Sequence, residues 1–129
     1  MAESQHSNVD LLRTGVYCIT NTRNGKRYVG SAAVTFKQRW KAHRTALRRG
    51  VHHSSHLQRA WTQDGESSFE FVILAFCEPH ECVSSEQMLI TSLRTAHRKF
   101  GYNMSPTAGN QRGIKRSEET LRKMSVSQK

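Results

Sequence analysis

Asn24-Gly25 lies between two short runs, residues 15–21 and 27–31, that carry tyrosine and β-branched side chains. Both turn residues tolerate a positive φ, so the pair signals a two-residue hairpin. With that loop Arg23 faces Lys26, Asn21 faces Tyr28 and Ile19 faces Gly30. Directly paired residues share a face, as do alternate residues of one strand. Tyr17, Ile19, Asn21, Tyr28 and Gly30 are therefore expected on one side of the ribbon, where Gly30 leaves room beside two phenols. A slip of one residue would separate the tyrosines.

A helix is expected next, over residues 35–49. Thr35 can cap it, Phe36, Trp40, His43 and Leu47 recur at helical spacing, and Gly50 stops it. Arg39 and His43 are four apart and project from neighbouring turns of one face. A fixed cation, an imidazole and two phenols then converge, a set suited to work on a phosphate. The plainer alternative is a hairpin whose tyrosines pack against a helix. The outward side carries Lys37, Lys41, Arg44, Arg48 and Arg49 with few acids nearby, which favours phosphate contact over a merely solvated face.

Ser54 or Ser55 caps a second helix with Leu57, Ala60 and Trp61 as its apolar stripe, ending at Asp64-Gly65. His52, His53 and His56 precede or open it without the thiolates that zinc sites commonly use, and His53 and His56 are expected at the surface. Residues 69–76 read as a third strand. Its later part is apolar on both faces, which suits helical cover on each side and pairing with the hairpin. A third helix, from residue 80 or 84 to 98, places Val83, Glu86, Ile90, Leu93 and His97 on one stripe. Glu86 is a carboxylate in an otherwise apolar face, so it needs a cation or a strong donor. A divalent ion would serve; so would an arginine or water. The fold class expected is α/β (α+β): a small three-stranded antiparallel sheet flanked by about three helices.

The 129 residues suit one domain. Lys and Arg number 20 against 10 acidic residues, and a net charge of +10 favours a polyanionic partner, most simply nucleic acid. No apolar run approaches the roughly 20 residues of a spanning helix. Residues 1–13 show no apolar leader and are expected to be a frayed lead-in. Cys18, Cys77 and Cys82 are odd in number and lack metal spacing, so reduced, buried thiols and the cytoplasm are expected.

Gly15-Val16-Tyr17 and Tyr28-Val29-Gly30 are followed by Arg39-Trp40 with His43, Leu57-Gln58 with Ala60-Trp61, Glu86-Gln87, and Tyr102-Asn103. This ordered set resembles the GIY-YIG nuclease family, with Val for Ile in both motifs. It is closest to the homing-endonuclease branch of phages and introns, and it spans residues 14–104. The resemblance implies an endonuclease that hydrolyses double-stranded DNA with one divalent ion, Mg2+ or Mn2+, held by Glu86. Its catalytic set would be Tyr17, Tyr28, Arg39, His43, His52, Glu86 and Asn103, and its products would carry 5′-phosphate and 3′-hydroxyl ends. Counting back from Leu57-Gln58, His52 fits the family histidine better than His53. Asn103 would hold the site or contact phosphate. Tyr17 would position or deprotonate the attacking water, and His43 could accept a proton from one of the phenols; the general base stays open between them. DNA contacts are expected from Lys26, Arg27, Lys37, Lys41, Arg44 and Arg48.

Residues 105–129 change character, with Pro106, Gly109 and Gly113 in a polar stretch. Lys115, Ser117, Glu119 and Thr120 resemble a short nuclease-associated modular DNA-binding motif, adding Lys115 and Arg116 to the DNA contacts; a charged linker helix is the alternative. Three segments follow: a lead-in 1–13, a catalytic domain 14–104, and a linker with a DNA-binding helix 105–129. Related enzymes continue further, which points to a truncated or minimal form. A monomer in solution with no membrane partner is expected, and a double-strand break would need dimerisation on DNA or successive nicks. The competing readings are a non-catalytic basic nucleic-acid-binding module and a restriction or repair nuclease of the same fold.

Overall fold

The computed structural model describes residues 6–105 and 107. The elements run α1 (Asn8–Leu11), β1 (Gly15–Asn21), β2 (Arg27–Ala32), α2 (Phe36–Arg49), α3 (Ser55–Asp64), β3 (Phe69–Phe76) and α4 (Cys82–Leu93), with single 3-10 turns at Glu66–Ser68 and Pro79–Glu81. The strands form one antiparallel sheet in the order β2-β1-β3. The expected class is found, with β1 central and β2 at an edge.

The hairpin differs from expectation in register but not in facing. Tyr17 pairs with Gly30 and Ile19 with Tyr28, two residues away from the two-residue-loop register. Turn chemistry at Asn21 explains the shift. Its carbonyl accepts from Asn24 N and Gly25 N, and its side-chain oxygen accepts from Arg23 N, so the turn opens at Asn21. Gly25 takes a positive φ of 78° while Asn24 does not, so the mirror-image turn that Asn-Gly favours does not form. An even shift keeps parity, and Tyr17, Ile19, Tyr28 and Gly30 still share a face. Gly30 is needed there, because a Cβ at this position would lie 2.5 Å from the Tyr17 hydroxyl.

Two cores sandwich the sheet. On one face Tyr17, Ile19, Tyr28, Phe69 and Phe71 pack under α2 and α3. Phe36, Trp40 and Leu47 fill this space from α2, and Leu57 and Trp61 from α3. Trp40 is fully buried and meets Tyr17 edge-on, with centroids 6.0 Å apart. Such a side chain is worth several kcal/mol, so Trp40→Ala would cost about 3–5 kcal/mol. On the other face Val16, Cys18 and Val29 pack against Ile90 of α4.

The local signals act as expected at both helices under the first face. The Thr35 hydroxyl accepts from Gln38 N and Gly50 ends α2 in the left-handed region, while the Ser54 hydroxyl accepts from Leu57 N at the start of α3. The third helix ends earlier than expected. Arg94 turns left-handed at φ 57°, and its N–H closes on the Ile90 and Thr91 carbonyls. His97 is consequently exposed and off the stripe. The lead-in is packed from His6 onward: Leu11 joins the first core, the His6 ring lies 5.9 Å from Trp40, and His6 Nε2 accepts from Ile73 N.

The outer edge of β2 is covered over only part of its length. Arg27 N donates to the Phe100 carbonyl and Tyr102 N to the Arg27 carbonyl. Asn103 continues the pairing with its side chain, accepting from Val29 N at 2.8 Å and donating to the Val29 carbonyl at 3.0 Å. Beyond Val29 the edge opens into a cleft between α2 and α4.

Candidate active site

That cleft is a cavity of about 850 Å³, walled by Tyr28, Gly30, Ser31 and Ala32 of β2, Gln38, Arg39 and Ala42 of α2, Val83, Glu86 and Ile90 of α4, and His53, Ser54 and Asn103. Groups from both faces of the sheet meet around its open edge. Tyr28 arrives from the aromatic face, with Tyr17 fully buried behind the cavity wall, Glu86 comes from the aliphatic one, and Arg39 lines the same cavity.

The charges are coupled. Burial pushes the Tyr17 phenol well above its ordinary range, while the Arg39 guanidinium pulls against it by charge and by hydrogen bond. Tyr28 is pushed up to about 12, first by burial and then by the Glu86 charge. Arg39 is held more firmly protonated, chiefly by Tyr17 and further by Tyr28 and Glu86, against a cost of partial burial. Burial raises Glu86 above the usual carboxylate range, opposed by the Ser31 hydroxyl, which donates to Oε1 at 2.6 Å, and by Arg39.

A chain of imidazoles stands behind Tyr17. The Tyr17 hydroxyl bonds to His43 Nε2, His43 Nδ1 lies 2.7 Å from His52 Nε2, and Ser54 N donates to His52 Nδ1 at 3.0 Å. Burial lowers both histidines, His52 to about 4 and His43 well below its ordinary value, so both are neutral near pH 7. A neutral imidazole has one donor and one acceptor, and the partner of one nitrogen sets the role of the other. Ser54 N–H makes His52 Nδ1 the acceptor, so His52 Nε2 donates to His43 Nδ1. His43 Nε2 then carries the proton and donates to the Tyr17 oxygen. The expectation that His43 accepts a phenol proton is reversed for Tyr17: its one acceptor nitrogen is already engaged. His52 serves as a link in this chain, without lining the cavity.

His53 is exposed, as expected, yet it also bonds to the Tyr28 hydroxyl at 2.9 Å and lines the cavity. Counting back from Leu57-Gln58 favoured His52, but it is His53 that lines the cavity. Ser31 was also missed, although as the residue after Gly30 it must point to the face opposite Tyr28, where α4 packs. Both ends of the Asn103 amide bind the Val29 backbone.

The basic stripe of α2 lies elsewhere. Lys37 and Lys41 sit two residues either side of Arg39, about 160° round the helix from it, and neither lines the cavity. Arg44 stacks over the Phe71 ring at 4.4 Å, and Arg48 makes two hydrogen bonds to the Glu66 carboxylate. Arg27 is tied by its backbone to the 100–102 segment and lines no cavity wall. Lys26 lines a second, smaller cavity. Lys115, Arg116 and the motif around them lie outside the described residues.

The donor set was tested for a metal. No group of three or more His, Cys, Asp or Glu side chains is gathered for an ion among the described residues. That disfavours zinc. A lone carboxylate facing a roomy cavity fits Mg2+, which keeps several waters and is held by one or two carboxylates together with substrate phosphates. Among the described residues no helix is long and apolar enough to cross a membrane, and Cys18, Cys77 and Cys82 are free thiols.

Comparison with known proteins agrees with this geometry. The GIY-YIG catalytic domain profile matches residues 13–103. Intron-associated endonuclease 1 of Enterobacteria phage T4 is 46% identical over 63 residues, which is 49% of this chain and 25% of that protein. The chain thus spans about a quarter of the length of that relative. Among solved structures, a glutamate-to-alanine variant of the catalytic domain of intron endonuclease I-TevI superposes with a TM-score of 0.68 at 34% identity, over 76% of this chain and 99% of that one. A second structure of the I-TevI catalytic domain gives 0.65 at 36% identity, over 72% and 99%.

Proposed function

The chain belongs to the GIY-YIG catalytic domain family, and from that premise we propose that it is a metal-dependent DNA endonuclease of the homing type, with residues 14–104 as its catalytic domain. The observation that carries this reading is that Glu86, Arg39 and Tyr28 line one cleft at the open edge of β2, with Tyr17 buried behind it in contact with the Arg39 charge. A module that only gripped a backbone would have no use for two desolvated phenols against a half-buried carboxylate.

Each residue then has a duty. Arg39 holds the scissile phosphate through fixed guanidinium donors. Glu86, steadied by Ser31, would hold a Mg2+ or Mn2+ ion. When bound, that ion supplies Lewis-acid charge for the phosphate and lowers the nearby phenols. Tyr17 is the candidate general base: once its own proton has passed to bulk solvent, the phenolate, stabilised by the His43 donor and the Arg39 charge, accepts the proton of the attacking water. Tyr28, fixed by His53, orients the water. Asn103 keeps β2 in place. Products with 5′-phosphate and 3′-hydroxyl ends, work in the cytoplasm and action as a monomer belong to the same reading, and phage or mobile-element origin is supported by the phage relative.

The test is cleavage of supercoiled plasmid by the full chain with and without magnesium, alongside Glu86→Gln. Nicked or linear product that requires both the ion and Glu86 is expected. Binding without any cleavage would instead favour the non-catalytic module, and cleavage indifferent to Glu86 would remove the metal role.

A further inference from the structure

A second cavity, of about 230 Å³, lies beside the first. Three segments cross from one to the other within two residues: Lys26 to Tyr28 on β2, Ser54 to His56 at the start of α3, and Tyr102 to Asn103. Two residues of strand cover about 6.6 Å, so the cavities are neighbours on the scale of successive nucleotides.

Its walls are cationic. Lys26 comes from the hairpin, Arg59 from α3 and Arg98 from the turns after α4, with His56 beside them. The side chains of Lys26, Arg59 and Arg98 make no ion pair among the described residues. The one acid in the wall, Asp64, is already engaged: it accepts from Asn21 Nδ2 at 2.7 Å and lies 3.7 Å from Arg23. Three separate segments thus bring to one concavity cations that have no ion pair among the described residues. Arg44 and Arg48 on α2 differ in this respect, since Phe71 and Glu66 occupy them.

We propose that this second cavity receives a backbone phosphate of the DNA strand flanking the scissile bond, so that the strand runs from Arg39 over the start of α3 to Lys26, Arg59 and Arg98, and not along the outer stripe of α2. The inference rests on the nuclease reading and names where its substrate lies. It assigns Arg59 and Arg98 to the DNA path, and it moves Lys37 and Lys41 off it. The recognition is of a phosphodiester by converging point charges, which carries no base preference.

The experiment is a binding titration of the full chain with a short mixed-sequence duplex over a range of salt, in chelator so that nothing is cut. Arg59→Glu/Arg98→Glu is compared with Lys37→Glu/Lys41→Glu, both matched to the parent in circular dichroism and melting temperature. Each double variant changes net charge equally, so bulk attraction is controlled. The cavity variant is expected to bind at least about tenfold more weakly and to lower the slope of log K against log salt by about 1–2, near 0.9 per phosphate lost; the α2 variant is expected to stay within about twofold. Equal losses would reduce the effect to net charge and overturn the proposal, as would a larger loss from the α2 pair. Calorimetry with inorganic phosphate separates the two sources of such an anion: if the cavity variant lost phosphate binding but kept parental DNA affinity and slope, the cavity would be an anion site apart from the DNA path. A parent that cut and bound DNA while the cavity variant behaved like it would sink this inference alone; a parent that bound no DNA would sink the nuclease reading with it.

Discussion

The two faces of the sheet are built from different materials and do different work. The face under α2 and α3 is aromatic and holds the whole imidazole chain: Tyr17, Tyr28, Trp40, His43 and His52 are buried there. The face under α4 is aliphatic, with Val16, Val29 and Ile90, and contributes one ionisable group to the cleft, Glu86. On the first face Tyr17, His43, His52 and Ser54 are hydrogen-bonded in series, whereas Glu86 on the second has, among the described residues, Ser31 as its neutral donor. The difference suggests a division of labour: one face prepares a proton acceptor and the other leaves a carboxylate under-satisfied, ready for a cation.

Removing the one charge that the aliphatic face contributes to the cleft should have the largest effect. Glu86→Gln keeps the acceptor for Ser31 but loses the charge, so cleavage should fall by about a thousandfold or more, the scale of several kcal/mol of metal-borne stabilisation. Because burial raises the Glu86 carboxyl, folding disfavours its charged form, and the neutral amide should not lower the melting temperature. Plasmid cleavage and thermal melts measure both; a variant that cut normally would break the comparison outright. Tyr17→Phe is the matching test on the aromatic face. It deletes the acceptor of His43 and Arg39 and should slow turnover by about a hundredfold, the lower range for general base catalysis, with substrate affinity little changed. Parental turnover would transfer the base role away from Tyr17.

Which parts of this division were legible in the sequence follows from how local each cause is. The pairing of Tyr17 and Tyr28 on one face depends only on parity, so it survives a mistaken register. The caps at Thr35 and Ser54 and the stop at Gly50 are set within a few residues and were read correctly. Glu86 was visible because a carboxylate in an apolar stripe is conspicuous. That the DNA-contact side expected from Lys37 and Lys41 lies away from the cleft was not visible, since the cleft depends on where α4 packs across β2. The early end of α4 was hidden too: Arg94 adopts a left-handed conformation with no glycine to announce it. Ser31 and His53 acquire their roles only from partners distant in sequence.

The imidazole chain offers a subtler test of the aromatic face. His52→Asn removes the link between Ser54 N–H and His43, so the donor to Tyr17 is no longer oriented. Turnover should fall by about tenfold, the scale of a small misplacement, with KM preserved. Nitrogen chemical shifts in the parent should show both His43 and His52 protonated at Nε2; protonation of His43 at Nδ1 would refute the polarity of the chain. Stability gives an independent reading. An unfolded imidazole titrates near 6.5 and folded His52 near about 4. Between those values the unfolded chain binds the additional proton, so stability should drop as pH falls through that window. The drop should be shallower in His52→Asn, and an unchanged slope would mean that His52 does not sense the burial assigned to it.

The smallest effect on cleavage should come from the aliphatic core itself. Ile90 is 2% exposed and packs with Val16, Cys18 and Val29 one turn beyond Glu86. Ile90→Val deletes one methyl group and should cost about 1 kcal/mol of stability, or roughly 3–5 °C in melting temperature. If the aliphatic face serves only to seat α4, cleavage per folded molecule should stay within about twofold of the parent below the melting transition. A tenfold loss at full folding would show that packing under α4 sets the position of Glu86 to within a fraction of an ångström. The two faces would then be coupled through β2, and their apparent division of labour would reduce to one of composition.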